Sequence, residues 1–228
     1  MQKQNSLTLP EIYQQFIIDL KGTTLLEYLA VVFGIASVWY SRKESILVYP
    51  VGLVNTTIYI YISFKGSLLG EAGVNVYYTV MSIYGWLLWA RKDRLDRPMV
   101  SITWSTKKQW IEQLIFFTFF YIVIFTALSW LKKGFAPGAI PWADAFASAT
   151  AFTGMWLMAR KKVESWFWWI STNIASIPLY FIKHYVFTSF YYCILLVMAF
   201  FGLLEWIRRS EGNKLKRYEV EKNSGNWT

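Results

Sequence analysis

The chain has 228 residues, of which 55% are hydrophobic, 20% are aromatic and only 16% are charged. With a mean hydropathy of +0.31, it is too apolar for a soluble domain of this length and is typical of a polytopic membrane protein. The net charge of +9 does not indicate nucleic-acid binding, because the basic residues form short clusters between apolar stretches, as in cytoplasmic loops. A single cysteine and a single histidine exclude a disulfide framework and a histidine-based metal or catalytic cluster, and no cofactor is expected.

The pattern of the N-terminal segment, residues 1–22, predicts a short helix that lies on the extracytoplasmic surface of the membrane. Its apolar residues recur at helical spacing after Pro10. Glu11 and Asp19 interrupt the apolar core that a signal peptide would need.

Seven apolar stretches are long enough to cross about 30 Å of hydrocarbon, which takes roughly 17 to 25 residues. They cover residues 24–41, 46–64, 67–90, 110–131, 143–159, 163–183 and 187–207. Of the 23 basic residues, 17 fall on the side that holds the C-terminus. The positive-inside rule therefore predicts a cytoplasmic C-terminus and, with an odd number of spans, an N-terminus outside.

Residues 42–91 and 160–208 resemble each other at a distance of about 117 to 118 positions. The motif Gly85-x-x-x-Trp89-x-Arg91 returns as Gly202-x-x-x-Trp206-x-Arg208. The remaining matches pair Arg42-Lys43 with Arg160-Lys161, Asn55 with Asn173, and Glu27 with Asp144. This alignment places Val48 and Val51 opposite Trp166 and Trp169, so we expect most ligand contacts in the second copy.

The repeat also predicts the topology. Both copies carry basic residues on the cytoplasmic side, so they are parallel and an odd number of spans must join them. We expect an all-α integral membrane protein with a three-plus-one-plus-three order: repeat 23–91, cytoplasmic loop 92–109, linker helix 110–131, repeat 143–208 and cytoplasmic tail 209–228. Duplicated halves of this kind are typical of transporters whose site lies between them.

The sixth span predicts a binding face. Trp166, Trp169 and Asn173 stand at i, i+3 and i+7 and share one side of a helix, with Asn173 near the middle of the membrane. Asn55 reaches the same depth in the second span. Aromatic walls with convergent polar groups favour a ligand pocket, although Trp166 could belong to an interfacial belt and the two amides could simply bond helices together.

The third span adds Asn75, Tyr78 and Ser82, again at i, i+3 and i+7 on one face. Amides, hydroxyls and indoles without buried ionisable residues suit an uncharged or delocalised aromatic ligand that carries hydroxyls. The same lack of buried ionisable residues argues against a proton relay and for passive uptake.

Two carboxylates, Glu27 and Asp144, lie at the outer ends of the first and fifth spans. Each could simply stabilise a helix N-terminus. Because they are equivalent in the repeat, they are also candidates for a shared outer vestibule or gate.

Three motifs resemble the PnuC family of bacterial vitamin transporters: RKKVESWFWWISTNIASIPLY, with a basic run, Glu, a WxxW pair and Asn; IYGWLLWARKD; and PWADAF. The resemblance covers residues 24–209. It implies a SWEET-like fold in the bacterial inner membrane, a homotrimer, and ligand contacts from Trp166, Trp169 and Asn173.

The resemblance further implies uptake of nicotinamide riboside by facilitated diffusion, with trapping by a cytosolic kinase. Many family members have Gln where this chain has Asn75, so thiamine or a related vitamin is the alternative substrate. An intramembrane enzyme needs a nucleophile or metal cluster at depth and is disfavoured, because the chain offers only hydroxyls, one cysteine and one peripheral histidine. A purely structural membrane protein, in which the amides only join helices, is the fourth possibility.

Overall fold

The computed structural model describes residues 9–65, 69–94, 98–132, 134 and 138–223. Within these ranges the regular secondary structure is helical, apart from two isolated β-bridges. The helices are α1 (Leu9–Gly22), α2 (Leu25–Arg42), α3 (Val48–Lys65), α4 (Leu69–Ala90), α5 (Lys107–Leu131), α6 (Pro141–Ala159), α7 (Ser165–Ile182) and α8 (Val186–Asn223). Each predicted span coincides with one of the helices α2 to α8.

The first helix, α1, is bent by 105° from α2 and buries none of its residues. A capping box formed by Thr24 and Glu27 starts α2 directly after the bend. Phe16 packs on Phe187 and Phe190 of α8, with ring centroids 6.0 and 5.7 Å apart. This amphipathic helix therefore lies across the end of α8, as a surface helix would.

Two described helices are long and apolar enough to cross a membrane by themselves: α5, with a mean hydropathy of 2.2, and the Val186–Leu215 part of α8, with 2.1. A third crossing is reached if α1 and α2 form one broken span. The other helices contain more polar side chains. Hydrogen bonds between helices satisfy these groups, as between Thr172 and Thr150 at 3.0 Å and between Thr79 and Thr56 at 2.9 Å.

The last helix differs from the prediction. It continues to Asn223, well beyond the expected end of the span at 207, so the tail begins as a helical extension. Contacts with other segments support this extension: Asn213 donates to the carbonyl of Ile102 at 3.3 Å, and Arg209 pairs with Glu44 at 3.3 Å.

The helices pack in two consecutive groups, α2–α3–α4 and α6–α7–α8. The third helix of each group lies against the first helix of the other, so α4 contacts α6 and α8 contacts α2. Helix α5 packs on α6, and α1 packs on α8.

The structure fixes the register of the repeat at 117 residues. Helices α3 and α7 begin at 48 and 165 and end at 65 and 182, and α4 and α8 begin at 69 and 186. Tyr49 covers Gly85 in the first group as Trp166 covers Gly202 in the second. The constant offset means that no residue is inserted along these helices.

This register corrects part of the predicted alignment. With an offset of 117 residues, Asn173 is equivalent to Thr56 and Asn55 is equivalent to Thr172. The two asparagines therefore do not occupy equivalent positions in the repeats. Trp166 and Trp169 are likewise equivalent to Tyr49 and Gly52, and not to the two valines. One residue corresponds to about 100° around a helix, so matching by residue type at 118 positions joined side chains on different faces.

Equivalent residues meet between the two groups. The Ser41 hydroxyl lies 2.9 Å from the sulfur of Met158, 117 positions away. Each of the two equivalent indoles donates a hydrogen bond to the other helix group. Trp89 donates to the carbonyl of Ala159 at 2.9 Å, and Trp206 donates to the carbonyl of Ser41 at 3.0 Å. Residues that touch their own equivalents must lie beside a pseudo-twofold axis. The main buried cluster surrounds this point and includes Tyr49, Trp89, Met158, Trp166 and Trp206.

Candidate binding site between the two helix groups

The predicted face of α7 exists and includes a buried amide. Trp166, Trp169, Asn173 and Ser176 follow one another on one side of the helix, and Asn173 is only 3% exposed. Among the described residues, we find no hydrogen-bond partner for its carboxamide. Burying an amide without hydrogen-bond partners costs free energy. A bound ligand could supply those partners, so the Asn173 carboxamide is a candidate ligand-binding group.

Trp169 forms the aromatic wall beside this amide. Its indole covers Gly154 of α6 and would lie 3.2 to 3.3 Å from a Cβ atom there, so a larger residue would displace the indole by a few tenths of an ångström. The ring of Tyr78, on α4, lies 6.2 Å from the indole at an interplanar angle of 42°. Trp169 and Tyr78 thus meet across the boundary between the two helix groups.

Trp166 lies in a different environment. It is 1% exposed, packs edge-on to Trp206 with centroids 5.7 Å apart, and covers Gly202. Its indole N–H has no partner among the described residues. The structure therefore places this tryptophan in the buried aromatic cluster, one helical turn away from the wall that Trp169 forms.

Asn55 lies on the other side of the boundary. Its amide donates to the carbonyl of Ala30 at 2.6 Å, which joins α3 to α2. The Asn55 nitrogen and the Tyr191 hydroxyl both approach Gly34, where an added Cβ would meet them. Residue pattern alone does not single out Tyr191, because adjacent tyrosines in an apolar stretch also suit an interfacial belt.

Two further predicted residues, both on α4, separate in the structure. Asn75 donates to the carbonyl of Glu71 at 2.9 Å within its own helix. Ser82 is buried and faces α3, with its hydroxyl 3.8 Å from the position of a Cβ at Gly52. Of the predicted face on α4, Tyr78 is the residue that reaches Trp169.

The two predicted vestibule carboxylates are each bound within their own helix group. Glu27 accepts hydrogen bonds from the backbone N–H and the hydroxyl of Thr24, at 2.6 and 2.9 Å. Asp144 caps α6 by accepting from the N–H of Ile140 at 2.7 Å, and it pairs with Lys183 at 2.6 Å. The helix-capping alternative therefore applies to both side chains.

The turn between α6 and α7 is hydrogen-bonded to the loop that connects α4 to α5. Thr103 bonds to the backbone on both sides of Lys162, and the ammonium of Lys162 donates to the Thr103 hydroxyl at 3.0 Å. Partial burial lowers the pKa of Lys162, and the nearby carboxylate of Glu164 opposes that change. Glu164 also accepts from the N–H of Ser105 at 2.6 Å, so the loop is tied to the start of the helix that carries Trp169.

A chain of long apolar helices, duplicated around a boundary lined by an indole, a phenol and a buried amide, has the features of a membrane transporter for small organic molecules. Residues 24–208 match the model of the nicotinamide mononucleotide transporter family. The chain therefore belongs to this family, which contains the PnuC transporters, and its members are transporters and not enzymes.

Two relatives show the range of the family. The riboflavin/roseoflavin transporter RibM of Streptomyces davaonensis is 27% identical over 186 residues, covering 78% of this chain and 83% of RibM. The nicotinamide riboside transporter PnuC of Escherichia coli is 25% identical over 211 residues, covering 83% of this chain and 88% of that protein. The fold is similar to the crystal structure of the vitamin B3 transporter PnuC, with a TM-score of 0.67, 22% identity, and coverage of 88% of this chain and 90% of that one.

Proposed function

We propose that this protein takes up nicotinamide riboside across the bacterial inner membrane by facilitated diffusion, and that a cytosolic kinase traps the product. The observation that carries the proposal is the buried Asn173 amide beside the Trp169–Tyr78 pair, whose rings are 6.2 Å apart. Nicotinamide riboside has a flat cationic ring and a hydroxylated sugar. The aromatic faces suit the cation, and the amide suits the hydroxyls or the carboxamide of the ligand.

The proposed architecture is the SWEET-like three-plus-one-plus-three order, assembled as a homotrimer. Helices α2–α4 and α6–α8 form the parallel repeats, and α5 is the linker. The contacts of Ser41 with Met158 and of the two indoles with the opposite helix group support the parallel arrangement. The excess of basic residues on the C-terminal side supports a cytoplasmic C-terminus and an N-terminus outside.

Uptake into proteoliposomes tests the site. Trp169→Ala and Asn173→Ala should each reduce the uptake of radiolabelled nicotinamide riboside at least tenfold, because they remove the stacking surface and the buried amide. Trp130→Ala is the matched control, since this α5 side chain is 82% exposed and should leave uptake unchanged. Wild-type uptake in both site variants would contradict the assignment.

The transport mechanism has a separate test. Without a membrane potential and without a kinase, the vitamin should reach equal concentrations inside and outside the vesicles. Enclosing a nicotinamide riboside kinase with ATP should raise the total label inside. Concentrative uptake driven by an imposed proton or sodium gradient alone would contradict facilitated diffusion.

Two observations favour other substrates for this transporter. Asn75 differs from the glutamine of many family members and favours thiamine, another aromatic cation. The 27% identity to RibM favours riboflavin. Thermal-shift titrations of the purified protein with all three vitamins should rank them, because a ligand that binds the folded state raises its apparent stability.

A further inference from the structure

The candidate site is unequal in the two repeats. In the second repeat, Trp169 of α7 covers Gly154 of α6. The equivalent residues of the first repeat are Gly52 and Ser37, and the Ser37 hydroxyl would lie 3.2 Å from a Cβ at Gly52. Helix α3 therefore offers no aromatic side chain at the level where α7 offers an indole.

A tyrosine from the other repeat lies on this side of the boundary. Tyr191 extends from α8 to α2, and its hydroxyl is so close to Gly34 that a Cβ could not be accommodated there. The Asn55 nitrogen would be 3.1 Å from the same Cβ position. The repeat equivalents of Tyr191 and Gly34 are Val74 and Ala151, so this contact has no counterpart in the second half.

The Tyr191 hydroxyl is available to a ligand. We find no hydrogen bond to it from the described residues, whereas Tyr77, which reaches α6 from α4, donates to the carbonyl of Phe152 at 3.0 Å. A phenol placed among helices keeps its hydroxyl only if that group has a use or a partner.

Tyr191 also belongs to a group of packed tyrosines. Its ring is 5.8 Å from that of Tyr192, which in turn stacks on Tyr180 of α7 at 5.2 Å. Tyr78 faces Trp169 at 6.2 Å. Aromatic side chains of α4, α7 and α8 thus lie in the region where the two repeats meet.

We propose that Tyr191 determines specificity at this site. Its hydroxyl, beside Asn55, bonds to the polar substituent of a single-ring aromatic vitamin. The hydroxyl and the ring carbon that bears it fill the space over Gly34, and this excludes a three-ring vitamin such as riboflavin. The inference rests on the proposed function and names a residue that limits the size of its substrate.

Two variants approach the contact from opposite sides. Tyr191→Phe keeps the ring and removes one hydrogen bond, so the Kd for nicotinamide riboside should rise about three- to tenfold. Gly34→Ala adds a methyl group where the hydroxyl lies and should displace Tyr191, with a loss at least as large. In a Tyr191→Ala background, Gly34→Ala should have a much smaller effect, because only the Asn55 nitrogen, 3.1 Å from the added Cβ, then remains close.

The exclusion of large vitamins by Tyr191 is tested by comparing the binding of riboflavin and nicotinamide riboside. Tyr191→Ala should gain riboflavin binding at least tenfold relative to wild type while it loses affinity for nicotinamide riboside. Tyr121→Phe on α5, whose ring stacks on Phe117 and Phe125 of its own helix, is the matched control and should change neither affinity. Size-exclusion chromatography checks that each variant is folded.

The outcomes separate this proposal from the function itself. Unchanged affinities in Tyr191→Phe and Gly34→Ala, in a wild type that binds nicotinamide riboside, overturn only the role of Tyr191. A wild type that binds riboflavin as tightly as nicotinamide riboside also overturns that role and leaves vitamin transport intact. A wild type that binds none of the three vitamins overturns both.

Discussion

Lys161 and Glu44 occupy equivalent positions in the two repeats and form an ion pair with each other, with the ammonium 2.7 Å from the carboxylate. Both adopt a left-handed backbone conformation, with φ of 53° and 59°, in the turn between the first and second helices of their repeat. The ammonium also lies 4.5 Å from the centroid of the Trp89 ring. The two equivalent turns therefore carry opposite charges, and a salt bridge joins them beside the pseudo-twofold axis.

Removal of either member of this pair should destabilise the protein, and Glu44→Gln should cost more than Lys161→Met. Lys161 is only 5% exposed, so the first variant leaves a buried ammonium without its carboxylate, at about 2 to 4 kcal/mol. In the second variant Glu44 keeps Arg209 at 3.3 Å, which limits the loss to about 1 to 2 kcal/mol. Unfolding in detergent measures both values.

Arg208→Met is the control for this ion pair, because the Arg208 side chain is 78% exposed and exposed pairs contribute little. The double variant Glu44→Gln with Lys161→Met should be less destabilised than the two single losses added together. Strict additivity would show that the two side chains act independently.

Gly85→Ala and Gly202→Ala should each destabilise the protein by about 1 to 3 kcal/mol, because an added methyl group would overlap the ring of Tyr49 or Trp166. Gly212→Ala on α8 meets no atom within 4 Å and should be neutral or stabilising by up to about 1 kcal/mol. Thermal unfolding compares the three variants. Equal effects at all three glycines would disprove the close packing.

Gly154→Ala should affect binding more than stability. The added Cβ would lie 3.2 Å from the Trp169 indole, so a few tenths of an ångström of movement would shift the proposed stacking surface. We expect the Kd for nicotinamide riboside to rise about tenfold with a change in unfolding free energy below about 1 kcal/mol. Titration calorimetry gives the affinity. The reverse pattern, normal affinity with a large loss of stability, would assign Trp169 to packing alone.

Asp144→Asn tests the proposed outer vestibule. The carboxylate pairs with Lys183 at 2.6 Å, and both side chains are 19% exposed, so the variant should lower stability by about 1 kcal/mol. If Asp144 also attracts a cationic vitamin, initial uptake should fall at low ionic strength and return to the wild-type rate at high salt. A salt-independent rate would confine Asp144 to its helix cap and ion pair.

Much of this protein could be predicted from residue pattern. The lengths and polarity of the apolar stretches placed α2 to α7 and the start of α8 within a few residues, because each helix follows from local composition. The duplicated glycine and tryptophan motif revealed the repeat. Helical periodicity placed Trp166, Trp169 and Asn173 on one face of α7, and the motifs identified the family.

The tertiary structure decided what those side chains touch. It assigned Trp166 to the buried cluster with Trp206 and Trp169 to the boundary with Tyr78, although the two are only one turn apart. It showed that the repeat offset is 117 residues, so that Thr56 and not Asn55 is equivalent to Asn173. It also showed that Tyr191 of α8 contacts Gly34 of α2. Sequence periodicity gives the face of a helix, but the partner of that face depends on how distant segments pack.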